Sequence, residues 1–233
     1  MKSKNLNLGN SIFKGFNDQD GLMICGYEWG MSKQDQKDSQ DNNLVEPEID
    51  IEHTFANKAR YWGERANTWR YDNNIKQWFE LWGFPLDSNE LGGNFEKSLV
   101  QTNWADTQGH SIHDSDADKY IMPEHVDNFI YHVNALRPKV ILLMGSKLID
   151  YLQNPAVLPK FIEVMGDITE RRTVIQKPSS GTKFRVHFQS FEHCKVVGLP
   201  HPSGSFGISY DYIASFKPEL SAILTEYKNL RNF

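Results

Sequence analysis

The chain has 233 residues, 39% hydrophobic and 24% charged, with 25 basic and 30 acidic side chains for a formal charge of −5. That length fits one large domain with a substantial core, and the composition excludes collagen, a disordered chain and a disulfide-stapled miniprotein. The acidic balance argues against a protein that grips nucleic acid over a wide surface, because phosphate neutralisation by Lys and Arg supplies most non-specific affinity.

The opening stretch Met1–Asn10 is polar and lacks an apolar signal core, so no secretory signal is expected. No apolar run approaches the ~20 residues that span a bilayer, and a cytoplasmic protein without membrane contact is the expectation. Gly21-Leu-Met-Ile-Cys-Gly26 is a short apolar run closed by glycine, the pattern of a buried parallel strand entering a loop. From about residue 32 to 52, seven acids stand against two lysines among Gln, Ser and Asn, which predicts a long exposed acidic loop. Ile75, Trp78, Phe79 and Trp82 fall at i, i+3, i+4 and i+7 and predict a helix, stopped by Gly83-Phe-Pro85.

Ser98-Leu-Val-Gln-Thr102 reads as a second strand running into Asn103, and residues 105–120 read as irregular. A helix is predicted from Pro123-Glu124, where proline suits the first turn, to Arg137-Pro138. Lys139–Met144 is the clearest buried strand, followed by Gly145-Ser146 and a short helix through Tyr151. Residues 167–193 are mixed and fit a hairpin, and Lys195–Leu199 is a fourth strand closed by Pro200-His-Pro-Ser203. Tyr212, Ile213, Phe216, Leu220, Ile223, Leu224 and Tyr227 trace a terminal helix in which Pro218 marks a kink or restart. Four strands separated by helices predict a single α/β domain over 1–233 with a mostly parallel sheet, whose ligand site lies beyond the carboxyl ends of the strands.

Three of those ends carry unusual polar residues: Gly26-Tyr-Glu-Trp-Gly30, Thr102-Asn103 and His201-Pro-Ser203. In this order, with the Lys139 strand between them, they resemble the motifs of the uracil-DNA glycosylase superfamily. The resemblance spans roughly Gly21 to Leu224 and implies a three-layer α/β/α sandwich around a four-stranded parallel sheet. It also implies hydrolysis of the bond between deoxyribose and a base flipped out of the stack, most simply uracil in DNA. By motif position, Glu28 would orient water and face the sugar cation, and Asn103 would read the polar edge of the base. His201 would stabilise charge growing on the base oxygen. Gly26, Tyr27, Ser203 and Phe206 belong to the same motifs as substrate-binding residues, and Phe55 is the candidate ring for stacking on the base. The motifs depart from the family pattern at Trp29, at Glu28 and at Ser205, the last standing where several members place a leucine wedge. Trp29 stands where proline is common, and Glu28 where the family has Asp, Asn or Ala.

With Cys25 and Cys194 alone, no four-cysteine zinc site or iron–sulfur cluster can form from one chain. His110 and His113 with Asp114 and Asp116 offer metal-ligand types but read as a polar loop, so neither metal nor cofactor is expected. Trp62, Trp69, Trp78 and Trp82 read as core at helical spacing rather than as platforms for bases. The partner expected is DNA or a nucleotide-like ligand. Two other readings stay open: a non-catalytic member that binds a nucleotide or nucleic acid, and an interaction protein with a vestigial pocket. Lys33, Lys195 and Lys217 are the cations close in sequence to the motifs.

Overall fold

The apolar runs read from the sequence pair into one sheet. The computed structural model describes residues 6–9, 12–30, 52–87, 90–109, 114–178, 183–203, 205 and 207–233. Strands β1 (Leu22–Gly26), β3 (Leu99–Asn103), β5 (Val140–Met144) and β8 (Lys195–Leu199) are the four expected ones, and they lie side by side in the order β3-β1-β5-β8, all parallel. The sheet has six strands rather than four. Strand β7 (Val186–Phe191) pairs antiparallel with β8, and β6 (Ile168–Ile175) pairs antiparallel with β7, which realises the expected hairpin. The added edge strand β6 is exposed along Thr169–Val174 and carries Glu170, Arg171 and Arg172, charges of the kind that keep an edge from pairing with another chain. A separate two-residue parallel pair joins β2 (Trp29–Gly30) to β4 (Gln108–Gly109).

Side chains alternate across the parallel strands, so each apolar run feeds two cores. Met23, Cys25, Val100, Ile141, Leu143 and Val196 pack in one cluster with helix α4 (Pro123–Leu136), α5 (Leu148–Leu152) and α6 (Leu158–Met165). Leu22, Ile24, Leu99, Leu142, Val197 and Leu199 pack in the other with α2 (Arg70–Leu81), α7 (Tyr210–Ala214) and α8 (Lys217–Arg231). Helices therefore flank the mixed sheet. Two shorter helices, α1 (Ala59–Trp62) and α3 (Asn94–Lys97), complete the described set.

Local chemistry explains the boundaries. Pro123 occupies the first turn of α4, and Arg137 ends it in the left-handed region at φ 42° with its N–H on the Val133 carbonyl. Pro218 sits in the first turn of α8, so the terminal segment restarts as a second helix and does not kink. On α2 the buried stripe is Ile75, Trp78 and Phe79, with Trp82 just beyond; each side chain contributes on the order of 1.5–3 kcal/mol by leaving water. Residues 105–120 are not wholly irregular, since they hold β4 and a 3-10 helix at Asp114–Ile121. Of the predicted acidic loop, only Glu52 lies inside the described residues. Among these residues no helix is long and apolar enough to cross a membrane.

Candidate functional site

Parallel pairing levels the strand ends. Gly26 lies opposite Asn103, Cys25 opposite Leu143, and Met144 opposite Leu199, so the chain leaves the sheet at one edge after all four parallel strands. Beyond β3 the pairing continues: the Trp104 N–H donates to the Gly26 carbonyl at 2.8 Å and the Ala105 N–H to the Tyr27 carbonyl at 2.8 Å.

Gly26 makes room for the asparagine. A Cβ on Gly26 would stand 2.5 Å from Asn103 Oδ1 and 3.3 Å from the Tyr71 hydroxyl, so the close approach of these groups requires glycine. Asn103 is buried, and its Nδ2 has no hydrogen-bond partner among the described residues. The Tyr71 hydroxyl is also buried without a partner there, and burial pushes its pKa well up. Tyr71 was not expected from the motifs, yet it extends the inner stripe of α2, four residues before Ile75 and seven before Trp78.

His201 completes the group. Its ring lies 5.4 Å from the Tyr71 ring and 6.0 Å from the Tyr27 ring, stacked on the latter at 28°. The Ser203 N–H donates to His201 Nδ1 at 3.3 Å, with the Ser203 hydroxyl oxygen 3.4 Å from the same nitrogen. An accepting Nδ1 places the ring proton on Nε2. Burial lowers the His201 pKa to about 4, so the imidazole is neutral near pH 7 and donates through Nε2. The loop carrying it is tied to α2: Asn74 Nδ2 donates to the Pro202 carbonyl at 2.6 Å, and the Tyr210 hydroxyl donates to Asn74 Oδ1 at 2.9 Å.

Tyr27 crosses the end of β5. Its hydroxyl would lie 2.6 Å from a Cβ on Gly145, accepts the Lys147 N–H at 3.1 Å, and its ring is 5.3 Å from that of Tyr120. On that flank stands Glu28. Its Oε2 accepts from the Thr107 hydroxyl at 2.5 Å and from Lys119 Nζ at 2.5 Å, and Oε1 accepts from the Tyr120 hydroxyl at 3.4 Å. A Cβ on Gly109 would meet its carboxyl carbon at 2.7 Å. Glu28 is thus engaged with the β4 segment and the 3-10 helix, not set among Asn103, Tyr71 and His201.

Of the remaining expected residues, Phe55 is 1% exposed and packs in the core on the α2 side, with Lys58 Nζ 4.7 Å from its ring centroid. Phe206 lies outside the described residues, as do Lys33, His110 and His113. Among the described residues no group of three His, Cys, Asp or Glu side chains could hold a metal ion. Two of the cations expected near the motifs stand elsewhere. Lys195 opens β8 at the opposite end of the sheet and pairs with Glu226, while Lys217 lies beside Gly83. Arg185 is nearer, since His187 pairs with Gly198 and so puts Arg185 level with Pro200.

Two surface grooves exclude the site residues named above, one lined by Ile121, Pro123, Val126, Pro155, Ala156 and Pro159, the other by Asn73, Lys76, Gln77, Glu80, Pro85 and Leu86. Neither contains a buried polar atom in want of a partner. Unsatisfied buried groups mark a site more sharply than concavity does, because each costs about 1–3 kcal/mol until something pairs with it. Compared with known proteins, the chain matches no protein-family model and no curated protein.

Proposed function

We propose that the protein is a base N-glycosylase-like hydrolase that takes a flipped base, most simply uracil in DNA, at the edge formed by Gly26, Tyr27, Tyr71, Asn103 and His201. One observation carries the reading: the Asn103 and Tyr71 side chains close on a required glycine beside a neutral histidine, and Asn103 Nδ2 and the Tyr71 hydroxyl are buried without partners among the described residues. A planar heterocycle with a polar edge would satisfy both. Asn103 offers the pyrimidine edge an amide donor, and Tyr71 a hydroxyl that donates or accepts. His201 Nε2–H would stabilise negative charge growing on a base oxygen as the sugar–base bond breaks, an interaction stronger in the transition state than in the ground state. The 2-1-3-4 order of the parallel strands, numbered among themselves, and helices on both sheet faces suit the three-layer sandwich implied by the motif resemblance.

A second reading is favoured by Glu28. A carboxylate already accepting from Lys119, Thr107 and Tyr120 has little capacity left to orient an attacking water, which suits a protein that binds a base or nucleotide without cleaving it. The test is incubation with oligonucleotides carrying uracil or hypoxanthine, followed by alkali. Strand breakage that Asn103→Ala abolishes supports hydrolysis. Intact strands together with a melting temperature raised by free uracil or a nucleotide support binding alone. Neither effect with any base would sink both readings.

A further inference from the structure

The four outer tryptophans do not all belong to the core. Trp78 and Trp82 are 2% and 1% exposed, but Trp62 is 39% exposed and Trp69 half-buried. We propose that Tyr61, Trp62 and Trp69, flanked by Arg60, Arg65 and Arg70, form a stacking platform for the unpaired bases of single-stranded nucleic acid leading into the strand-edge site. This inference rests on the nucleobase reading given above and narrows its substrate class.

The rings form a continuous row. Trp62 lies 5.9 Å from Trp69 and 5.3 Å from Tyr61, and Tyr61 in turn stacks 5.6 Å from His53 at 17°. The row ends where the site begins: Trp69 immediately precedes α2, and Tyr71, in the first turn of that helix, reaches the Gly26–Asn103 corner. Between residues 60 and 70, three arginines stand against one acid, Glu64, whose carboxylate accepts from Asn67 Nδ2 at 2.9 Å. Arg60, Arg65 and Arg70 are exposed. A chain of charge −5 is ill suited to a broad duplex footprint, whereas exposed rings with local arginines match single strands. There each base offers a free face and the phosphates need only a few cations. Bases in a duplex have those faces stacked away.

The experiment is fluorescence anisotropy of the full chain with a labelled 16-nucleotide oligothymidylate, alone and paired with its complement. The single strand is expected to bind more tightly than the duplex. Trp62→Ala should weaken single-strand binding about tenfold, within the ~5–150-fold range of one lost stacking contact, while Trp62→Phe keeps most of it. Arg60→Ala with Arg65→Ala should flatten the salt dependence. Tighter duplex binding, no single-strand binding, or wild-type affinity in Trp62→Ala would overturn the platform. So would displacement by dextran sulfate at equal charge, which would point to a general polyanion site such as one for an acidic protein. Base release is read separately. Release from a single-stranded uracil oligonucleotide unaffected by Trp62→Ala defeats the platform and leaves the glycosylase reading, whereas Trp62-dependent single-strand binding without release does the reverse.

Discussion

At the residue scale the site is defined by what it lacks. Among the described residues, a tyrosine hydroxyl and an asparagine amide are held in the interior without partners, at a cost the fold bears. Tyr71→Phe therefore separates function from stability. Removing an unpaired buried hydroxyl should leave the melting temperature unchanged or slightly higher, while ligand binding and base release fall; an equal loss of both would make Tyr71 a packing residue. Gly26→Ala should abolish release, because its Cβ would stand 2.5 Å from Asn103 Oδ1. His201→Ala is expected to lower single-turnover base release ~100–1000-fold with little change in melting. His201 also carries a pH signature. Its pKa falls from 6.5 to about 4 on burial, so its contribution to stability is complete above about 6.5 and is lost as pH falls toward 4. Thermal melts at pH 7.5 and 4.5 should show a smaller acid-induced drop in His201→Gln than in the wild type.

At the element scale, two ion pairs hold the segments that present these residues. Lys58 Nζ lies 3.0 Å from both carboxylate oxygens of Asp72 and also contacts Gln101 Oε1, with both charged side chains under 10% exposed. This pins the segment before α2 to the helix and to β3, two residues from Asn103. Lys58→Met should cost ~3–5 kcal/mol in denaturant unfolding, because Asp72 would remain buried and unpaired; a loss under ~1 kcal/mol would show that water reaches Asp72. The Lys119–Glu28 pair is only partly buried, at 27% and 10% side-chain exposure. Lys119→Ala should cost more than the ~1 kcal/mol of a surface pair and less than a buried one.

At the scale of the whole molecule, the sheet collects the site and the charge limits its partners. Four parallel strands end on one edge, and the antiparallel hairpin extends the sheet beyond β8 and brings Arg185 level with Pro200. With net charge −5, binding to undamaged random duplex should be weak at physiological salt, and on the proposed reading specificity comes from the strand-edge residues. Tight binding that collapses steeply between 50 and 200 mM salt would show a basic surface larger than the described residues carry.

The four parallel strands, a break at Pro218 and the strand-end positions of Gly26, Asn103 and His201 were legible in the sequence, because apolar runs, glycines and prolines act within a few residues of where they stand; that the break is a restart and not a kink was not. Parallel topology also brings Gly26, Asn103 and Pro200 to one sheet edge, where ligands of such folds sit. Which polar groups meet there depends on packing between segments far apart in the chain. Tyr71 and Asn103 are brought together by helix packing across the sheet, and Glu28 is drawn to Lys119, 91 residues away. The same is true of the tryptophans. Helical spacing put all four in the core, but Trp62 and Trp69 precede the helix whose stripe buries Trp78 and Phe79. Spacing states which residues can share a face; what covers that face is a property of contacts between segments distant in the chain.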